Sequence, residues 1–496
     1  MDRGLLFSSG ALVSSALIMN HSEAATSLIQ VFQQSGQGQV FRYFDELDAD
    51  EQAQLLAQAA TIDLAEVDAL VAEHVQGAHT SALNLDGLTP APYIALAVNG
   101  GDQAQWDAAL EAGSAAIAAG RVAAFTVAGG QGTRLGYDGP KGTYPVTPVS
   151  QKTLFQVFAE KIARSGERFG VTIPWFILTS EINNEATIAA FKESDFFGID
   201  PESVHFITQG LVPAVDYDGK ILLAAKSKIA LTPDGHGGSL RALVRSGAVA
   251  KMEELGVDCV SYFQVDNPII QCIDPAFIGF HVLGQSELSS KMVPKAYALE
   301  KVGHFCMQDD AALVVEYSDM PDAMQEETND DGSIRFNGGN VAIHIFDRAF
   351  IARAGSSTSD VQLPFHRADK KIPYVGEDGV IVTPDAANGV KFEMFVFDAL
   401  PLAKNPVIIE AAREDDFSPL KNAEGVDSPK SCKLDQLRMY VRWLRAAGEE
   451  IETDETGVPR IWFEICHLFA ADEADFVAQW TALADKPAIV EGLIIE

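Results

Sequence analysis

An apolar run from Val122 to Ala128 leads into Gly129-Gly130-Gln131-Gly132-Thr133-Arg134-Leu135-Gly136 and then Gly139-Pro140-Lys141-Gly142. Glycine lets a backbone come close to phosphate oxygens and aim its N–H groups at them, while Arg134 and Lys141 add charge-assisted hydrogen bonds. Residue types and spacing together predict a cradle for a polyphosphate. Spacing also excludes two familiar phosphate-binding designs. A P-loop requires Gly-Lys-Ser/Thr, whereas Lys141 is followed by Gly142. A dinucleotide fingerprint requires its third glycine one place before Gly136 and an acid about 20 residues further on. The first acid after the next strand, Glu181, comes far too late.

The elements that must position this loop are legible around it. The Ala-rich stretch Ser114 to Ala119 favours helix, Gly120 can end it with positive φ, and Lys152 to Ile162 predicts another helix. Val122 to Ala128, Trp175 to Thr179, Val204 to Thr208, Val257 to Val265 and Ala342 to Phe346 are strand candidates that alternate with helical patterns. Such alternation predicts a mainly parallel sheet covered by helices on both faces. Val215 to Leu222 reads instead as a hairpin turning at Asp218-Gly219.

Upstream, Leu28, Val31 and Phe32 lie at helical spacing and Asp50 to Ala60 is rich in helix formers, so Thr26 to Gly113 predicts an all-α opening domain. Asp86 to Pro92, with Gly87, Pro90 and Pro92, reads as its linker to the main domain. Downstream of Lys404 come a loop, a helix around Leu434 to Ala447 and a tail. The expected division is a helical region over 1–113, an α/β catalytic domain over 114–406 and a smaller C-terminal domain over 407–496. Leu5 to Ile18 imitates the apolar core of a signal peptide, but Arg3 is opposed by Asp2, so Met1 to Ile18 is expected to be an upstream extension or a start-site artefact.

At 496 residues with 47% hydrophobic side chains, the chain can form two or three packed units. Seventy acidic against 36 basic residues give a formal net charge of -34, which repels nucleic acid and anionic membrane surfaces. The same excess repels a nucleotide, so the cations that hold one must be concentrated in the cleft. Cys259, Cys272, Cys306, Cys432 and Cys466 form no C-x-x-C, which predicts reduced cytoplasmic thiols and no zinc site; His304 and His467 read as core or surface residues. No unbroken apolar run approaches the ~20 residues of a membrane span.

The glycine loop does not stand alone. In order along the chain follow Gln209-Gly210-Leu211-Val212-Pro213-Ala214, Pro233-Asp234-Gly235-His236-Gly237-Gly238, Val265-Asp266-Asn267, Val315-Glu316-Tyr317-Ser318, Phe336-Asn337-Gly338-Gly339-Asn340, Lys371-Ile372-Pro373-Tyr374 and Phe417-Ser418-Pro419-Leu420-Lys421-Asn422. From about Gln30 to Asn422 the chain resembles the UDP-sugar pyrophosphorylases, most of all the eukaryotic-type UDP-N-acetylglucosamine pyrophosphorylases. The resemblance implies a Rossmann-like nucleotidyltransferase domain that uses Mg²⁺ to join UTP to a sugar 1-phosphate, releasing pyrophosphate and a UDP-sugar, with N-acetylglucosamine 1-phosphate the leading acceptor.

Carried over position by position, it implies Arg134, Lys141 and Lys421 on the phosphates, and Gly129, Gly130, Gly132, Gln209, Gly235 and Gly237 around the nucleotide. Gln209 follows a strand and can both donate and accept, as a uracil edge requires, although a solitary Gln is usually solvated. Family members often carry Asn where His236 stands, so a side-chain contact there is not carried over. For the sugar, Glu316 and Asn340 match; taken alone they read as a strand-edge acid and a turn residue. Asp266 follows an apolar strand, where ligands of α/β sheets gather; the residues alone leave it open between a metal ligand and an N-cap or turn aspartate before Asn267-Pro268, and the resemblance favours Mg²⁺. Lys391 is a weaker phosphate candidate.

Two other activities compete: a UTP:glucose-1-phosphate or broad-specificity pyrophosphorylase, and a UDP-sugar-binding sensor without catalysis. Phe336 to Asn340 resembles the N-acetyl branch, and the joint presence of Arg134, Lys141, Asp266 and Lys421 speaks against a sensor. The expected partners are small molecules alone, with no nucleic acid or membrane, and a monomer is expected.

Overall fold

Apolar runs of five or six residues, each ending in glycine-rich or polar turns, build the centre of the computed structural model, which describes residues 23–77 and 85–496. The extension expected over Met1 to Ile18 lies outside the described residues. By spatial contact the chain divides into two compact units, each assembled from separated segments. That division follows contacts across the fold, whereas 1–113, 114–406 and 407–496 divide the chain in sequence.

The larger unit comprises residues 85–210, His236–Pro364 and Phe395–Glu496. Its sheet has ten strands: β1 (Thr89–Pro90), β2 (Val122–Val127), β3 (Trp175–Thr179), β4 (Val204–Thr208), β5 (Cys259–Gln264), β6 (Leu288–Pro294), β7 (Gly303–Gln308), β8 (Ala311–Val315), β9 (Gly338–Asp347) and β10 (Val407–Glu410). The order is β1-β7-β9-β5-β2-β3-β4, with β8 on β7 and β6 bridging β9 to β10. β5, β2, β3 and β4 are mutually parallel, while β9 runs antiparallel to β5 and begins a largely antiparallel flank. The expected mixed α/β architecture is present. β3 is buried along its whole length and β2 nearly so, as strands covered on both faces must be. Helices Gln103–Ala118, Leu154–Phe169 and Pro275–Leu283 supply Ile117, Phe158 and Phe277 to one face of that core, against Ala124, Trp175, Ile177 and Phe263.

Two expectations need correction here. The Asp86 to Pro92 stretch is not a free linker: Thr89 and Pro90 pair with Met307 and Cys306 at the sheet edge. β9 is longer than Ala342 to Phe346, because the polar, glycine-containing start Gly338-Gly339-Asn340 pairs with β6 and β7 despite its weak strand propensity.

The smaller unit comprises residues 23–77, Leu211–Gly235 and Phe365–Met394. Helix Ala49–Ala60 opens on a capping box between Asp48 and Glu51, and helix Leu64–His74 is capped by Asp63. They do not form an all-α domain. Short helices cannot cover their own apolar stripes, so Leu55, Val67 and Leu70 share a core with Val215 and Phe392 from strands far along the chain and with Ile221 of the hairpin. In helix 23–34 Phe32 is buried, whereas Val31 is 46% exposed and Ile29 packs in its place. The predicted hairpin is present, with Val215 bridged to Ile221 and Gly219 at φ +79.

Candidate active site

Parallel register brings three of the predicted residues, Gly129, Gln209 and Asp266, to one edge of the sheet. Val127 is paired with Gln264 and Leu178, and Thr179 with Thr208. One or two residues beyond these pairs lie Gly129, Ser180, Gln209 and Asp266, all past the carboxyl ends of β2, β3, β4 and β5. Ligands of open α/β sheets bind there.

The glycine loop folds back on itself. Gly132 donates to the Gly139 carbonyl (2.9 Å), Lys141 N–H to the Gly130 carbonyl (3.1 Å), and Gly136 turns at φ +69. Because its N–H is engaged inside the loop, Gly132 contributes shape: a Cβ there would lie 2.7 Å from the Tyr137 ring. Gly130 differs, since a Cβ on it would meet nothing within 4 Å. The N–H groups of Gly129, Gly130 and Gln131 donate to no protein acceptor among the described residues. Consecutive free N–H groups in a half-open loop make an anion- or carbonyl-binding concavity. Gln209 stands over it, its Oε1 3.0 Å from where a Cβ of Gly129 would be.

Asp266 faces Lys141: Nζ to Oδ2 is 3.7 Å, with the side chains 16% and 14% exposed. Of the alternatives to a metal role, the N-cap fails, because no helix follows before Pro275 and Asp274 caps that one, whereas Asp266 does lie in a turn. The Asp266 carbonyl accepts Leu420 N–H (2.8 Å), and Lys141 Nζ donates to the Leu420 carbonyl (3.2 Å). Lys421 thus follows directly on a residue bonded to both Lys141 and Asp266, and its Nζ lies 5.5 Å from the Phe417 ring centre. Arg134 is exposed on a short turn, Thr133–Leu135, and forms no ion pair among the described residues.

Glu316 and Asn340 meet around Gly303. Asn340 is paired with Gly303, and Glu316 continues β8 one step past Val315, the partner of His304. A Cβ on Gly303 would lie 3.0 Å from Glu316 Oε1 and 3.7 Å from Asn340 Cβ.

Gly237 precedes helix Gly238–Arg245 in the larger unit, whereas Gly235 and Lys391 belong to the smaller one. Gly235 turns at φ +81 where a side chain would strike the Met394 carbonyl. His236 accepts the Val396 N–H on Nδ1 (3.1 Å), and burial lowers its pKa to about 4, so it is a neutral structural acceptor.

Five residues escaped the sequence reading. Asn267 is buried; its Nδ2 donates to the Asp416 carbonyl (2.6 Å) and its Oδ1 accepts Ser418 N–H (3.0 Å), tying the Asp266 turn to the Lys421 loop. Beneath that tie, the buried Lys291 ammonium bridges Asp416 and Asp274 at 2.7 Å each, and these carboxylates raise its pKa against the effect of burial. Gly303 is the third, and Lys295 the fourth. Lys295 Nζ donates to His304 Nε2 (2.8 Å), an imidazole kept neutral with a pKa near 4 by burial, and forms no ion pair among the described residues. Asn183, whose Nδ2 grips the glycine loop at the Ala128 and Gly130 carbonyls, is the fifth. For Asn267 alone a signal existed, its place beside Asp266.

The family model described as UTP–glucose-1-phosphate uridylyltransferase matches residues 101–437. This chain belongs to that family. A UDP-N-acetylhexosamine pyrophosphorylase-like protein 1 from Xenopus tropicalis is 38% identical over 458 residues, covering 88% of each chain. A UDP-N-acetylglucosamine pyrophosphorylase of Saccharomyces cerevisiae is 34% identical over 85% of this chain and 92% of its own. The solved uridine diphosphate N-acetylglucosamine pyrophosphorylase of Trypanosoma brucei, 25% identical, matches with a TM-score of 0.78 over 95% of this chain and 98% of that one. The nucleotidyltransferase fold and family implied by the sequence motifs are those found.

Among the described residues no helix is long and apolar enough to cross a membrane, and no three His, Cys, Asp or Glu side chains gather as a metal cage.

Proposed function

We propose that this chain transfers the uridylyl group of UTP to N-acetylglucosamine 1-phosphate, forming UDP-N-acetylglucosamine and pyrophosphate. The observation that carries the reading is the convergence, at one sheet edge, of the free N–H groups of Gly129 to Gln131 with Lys141, Asp266 and the Lys421 loop. Names borne by relatives over most of the chain support the N-acetyl sugar.

The sugar phosphate is already a nucleophile, so its oxygen attacks the α-phosphorus in line and needs neither a general base nor a covalent intermediate. What the reaction demands is placement of two anions against each other. The glycine loop and Gln209 hold the nucleotide, with Lys141, Lys421 and Arg134 offsetting charge that builds on the phosphates. Glu316 accepts sugar hydroxyls and Asn340 bonds a hydroxyl or the acetamido group.

A single carboxylate with phosphate oxygens and water suits Mg²⁺, and Asp266 offers that donor where a resident cage is absent among the described residues. Mg²⁺ held there with the phosphates would neutralise the α- and β-phosphate oxygens. All five cysteines are free and buried, which supports a reducing, cytoplasmic setting.

The test is pyrophosphate release from UTP and Mg²⁺ with a panel of sugar 1-phosphates. N-acetylglucosamine 1-phosphate should give the highest kcat/KM. Turnover with glucose or galactose 1-phosphate and none with the N-acetyl sugar overturns the substrate assignment, and tight UTP binding without turnover on any sugar phosphate overturns catalysis.

A further inference from the structure

Asn183 occupies the N-cap position of helix Asn184–Glu193, yet its side chain makes no capping bond. An asparagine there ordinarily satisfies the helix's own first N–H groups. Here it is fully buried and turned towards the glycine loop: Nδ2 donates to the carbonyls of Ala128 (2.9 Å) and Gly130 (3.2 Å). Its Oδ1 accepts the N–H (2.8 Å) and hydroxyl (3.1 Å) of Ser180. Because a backbone N–H can only donate, Ser180 fixes which end of the amide faces the loop.

The peptide bonds here are trans, so each N–H points opposite the carbonyl of its own peptide plane. A side chain that draws the carbonyls of Ala128 and Gly130 to one point therefore turns the N–H groups of Gly129 and Gln131 away from that point. Those are two of the groups with no protein acceptor among the described residues. We infer that Asn183 is a positioning residue, which pins the two peptide planes so that Gly129 and Gln131 present paired donors to an oxygen of the bound nucleotide. That oxygen belongs either to the pyrimidine ring or to a phosphate. The inference rests on the reading of UTP as the nucleotide held by this loop.

The test compares Asn183→Ala and Asn183→Asp with the wild type. The aspartate keeps the acceptor for Ser180 and loses both donors; the alanine, with no buried charge, serves if the aspartate does not fold. Loss of one or two aligned donors raises the KM for UTP about 10- to 100-fold, with a smaller change in kcat and an unchanged KM for the sugar phosphate. A merely structural role would lower kcat and thermal stability together and leave that split absent. Inhibition by uridine and by pyrophosphate separates the sources: weakened uridine inhibition assigns the ring oxygen, weakened pyrophosphate inhibition the phosphate. An unchanged KM for UTP in a folded variant overturns the inference. Hydrogen exchange of residues 128–132 in the wild type, with and without UTP, tests the underlying reading separately: absent protection there overturns the loop as the nucleotide site itself.

Discussion

Replacing Lys141 by methionine keeps the aliphatic stem and removes one charge. That ammonium lies 3.7 Å from Asp266 Oδ2 and 3.2 Å from the Leu420 carbonyl, in a place where both side chains are mostly buried. Unit charges at such a spacing attract by about 4 kcal/mol at an effective dielectric constant near 20. A phosphate oxygen gathering charge in the transition state draws on the same order of interaction, less the part already present in the ground state. About 3 kcal/mol remains, which is a fall in kcat of roughly 10²- to 10³-fold. The measurement is pyrophosphate release at saturating UTP and sugar phosphate, with thermal unfolding followed in parallel. The fold should persist, because the loop is held by backbone bonds and by Asn183 rather than by the ammonium. A folded Lys141→Met enzyme within about threefold of the wild-type kcat would place the transferring phosphate elsewhere.

Three further outcomes follow from particular contacts. Gly303→Ala places a Cβ 2.6 Å from Val314 Cγ1 and 3.0 Å from Glu316 Oε1, so the KM for the sugar phosphate should rise with that for UTP unchanged; steady-state kinetics with each substrate varied decide it. Asn267→Ala strands the Asp416 carbonyl and the Ser418 N–H, costing about 2–5 kcal/mol of stability in denaturant titrations and lowering kcat as the Lys421 loop loosens; a stability change without loss of turnover refutes the coupling. Burial lowers the pKa of His236 and His281 to about 4 and of His344 to about 3. Below about pH 6.5 the unfolded chain takes up protons that the native imidazoles refuse, so stability is full above that pH and falls as pH drops towards 4, by up to about 1.4 kcal/mol per pH unit for each histidine. A melting temperature constant from about pH 7 to about pH 5 refutes this.

The loop from Gly129 to Gly142 was legible as a turn because its geometry is local: glycines after an apolar strand announce a chain that folds back on itself, as the Gly132 to Gly139 and Lys141 to Gly130 bonds show. Gln209 and Asp266 were legible at one remove, since each follows an apolar strand and strand ends converge. Asn183 was not, and for Asn267 the one signal, its place beside Asp266, did not disclose its partners. Each earns its role from carbonyls far along the chain, Ala128 at a separation of 55 residues and Asp416 at 149, and an isolated asparagine carries no mark of such partners. The smaller unit was misread for the same reason. Helical periodicity announced the helices near Leu55 and Leu70, but nothing local to them announced the strands at Val215 and Phe392 that complete their core. Strands β3 and β4, which need only their own pattern, match the expected bounds residue for residue, whereas the helix expected around Leu434 to Ala447 begins five residues earlier, at Pro429 behind the Ser428 cap.

The pair between Lys141 and Asp266 sets one cation against one anion 3.7 Å apart. A lone anion drawn to that ammonium would leave the Asp266 carboxylate beside fresh negative charge. An anion arriving with its own cation satisfies both halves at once. Charge pairing at this point therefore disfavours a bare polyanion, in keeping with a sequence of formal net charge -34.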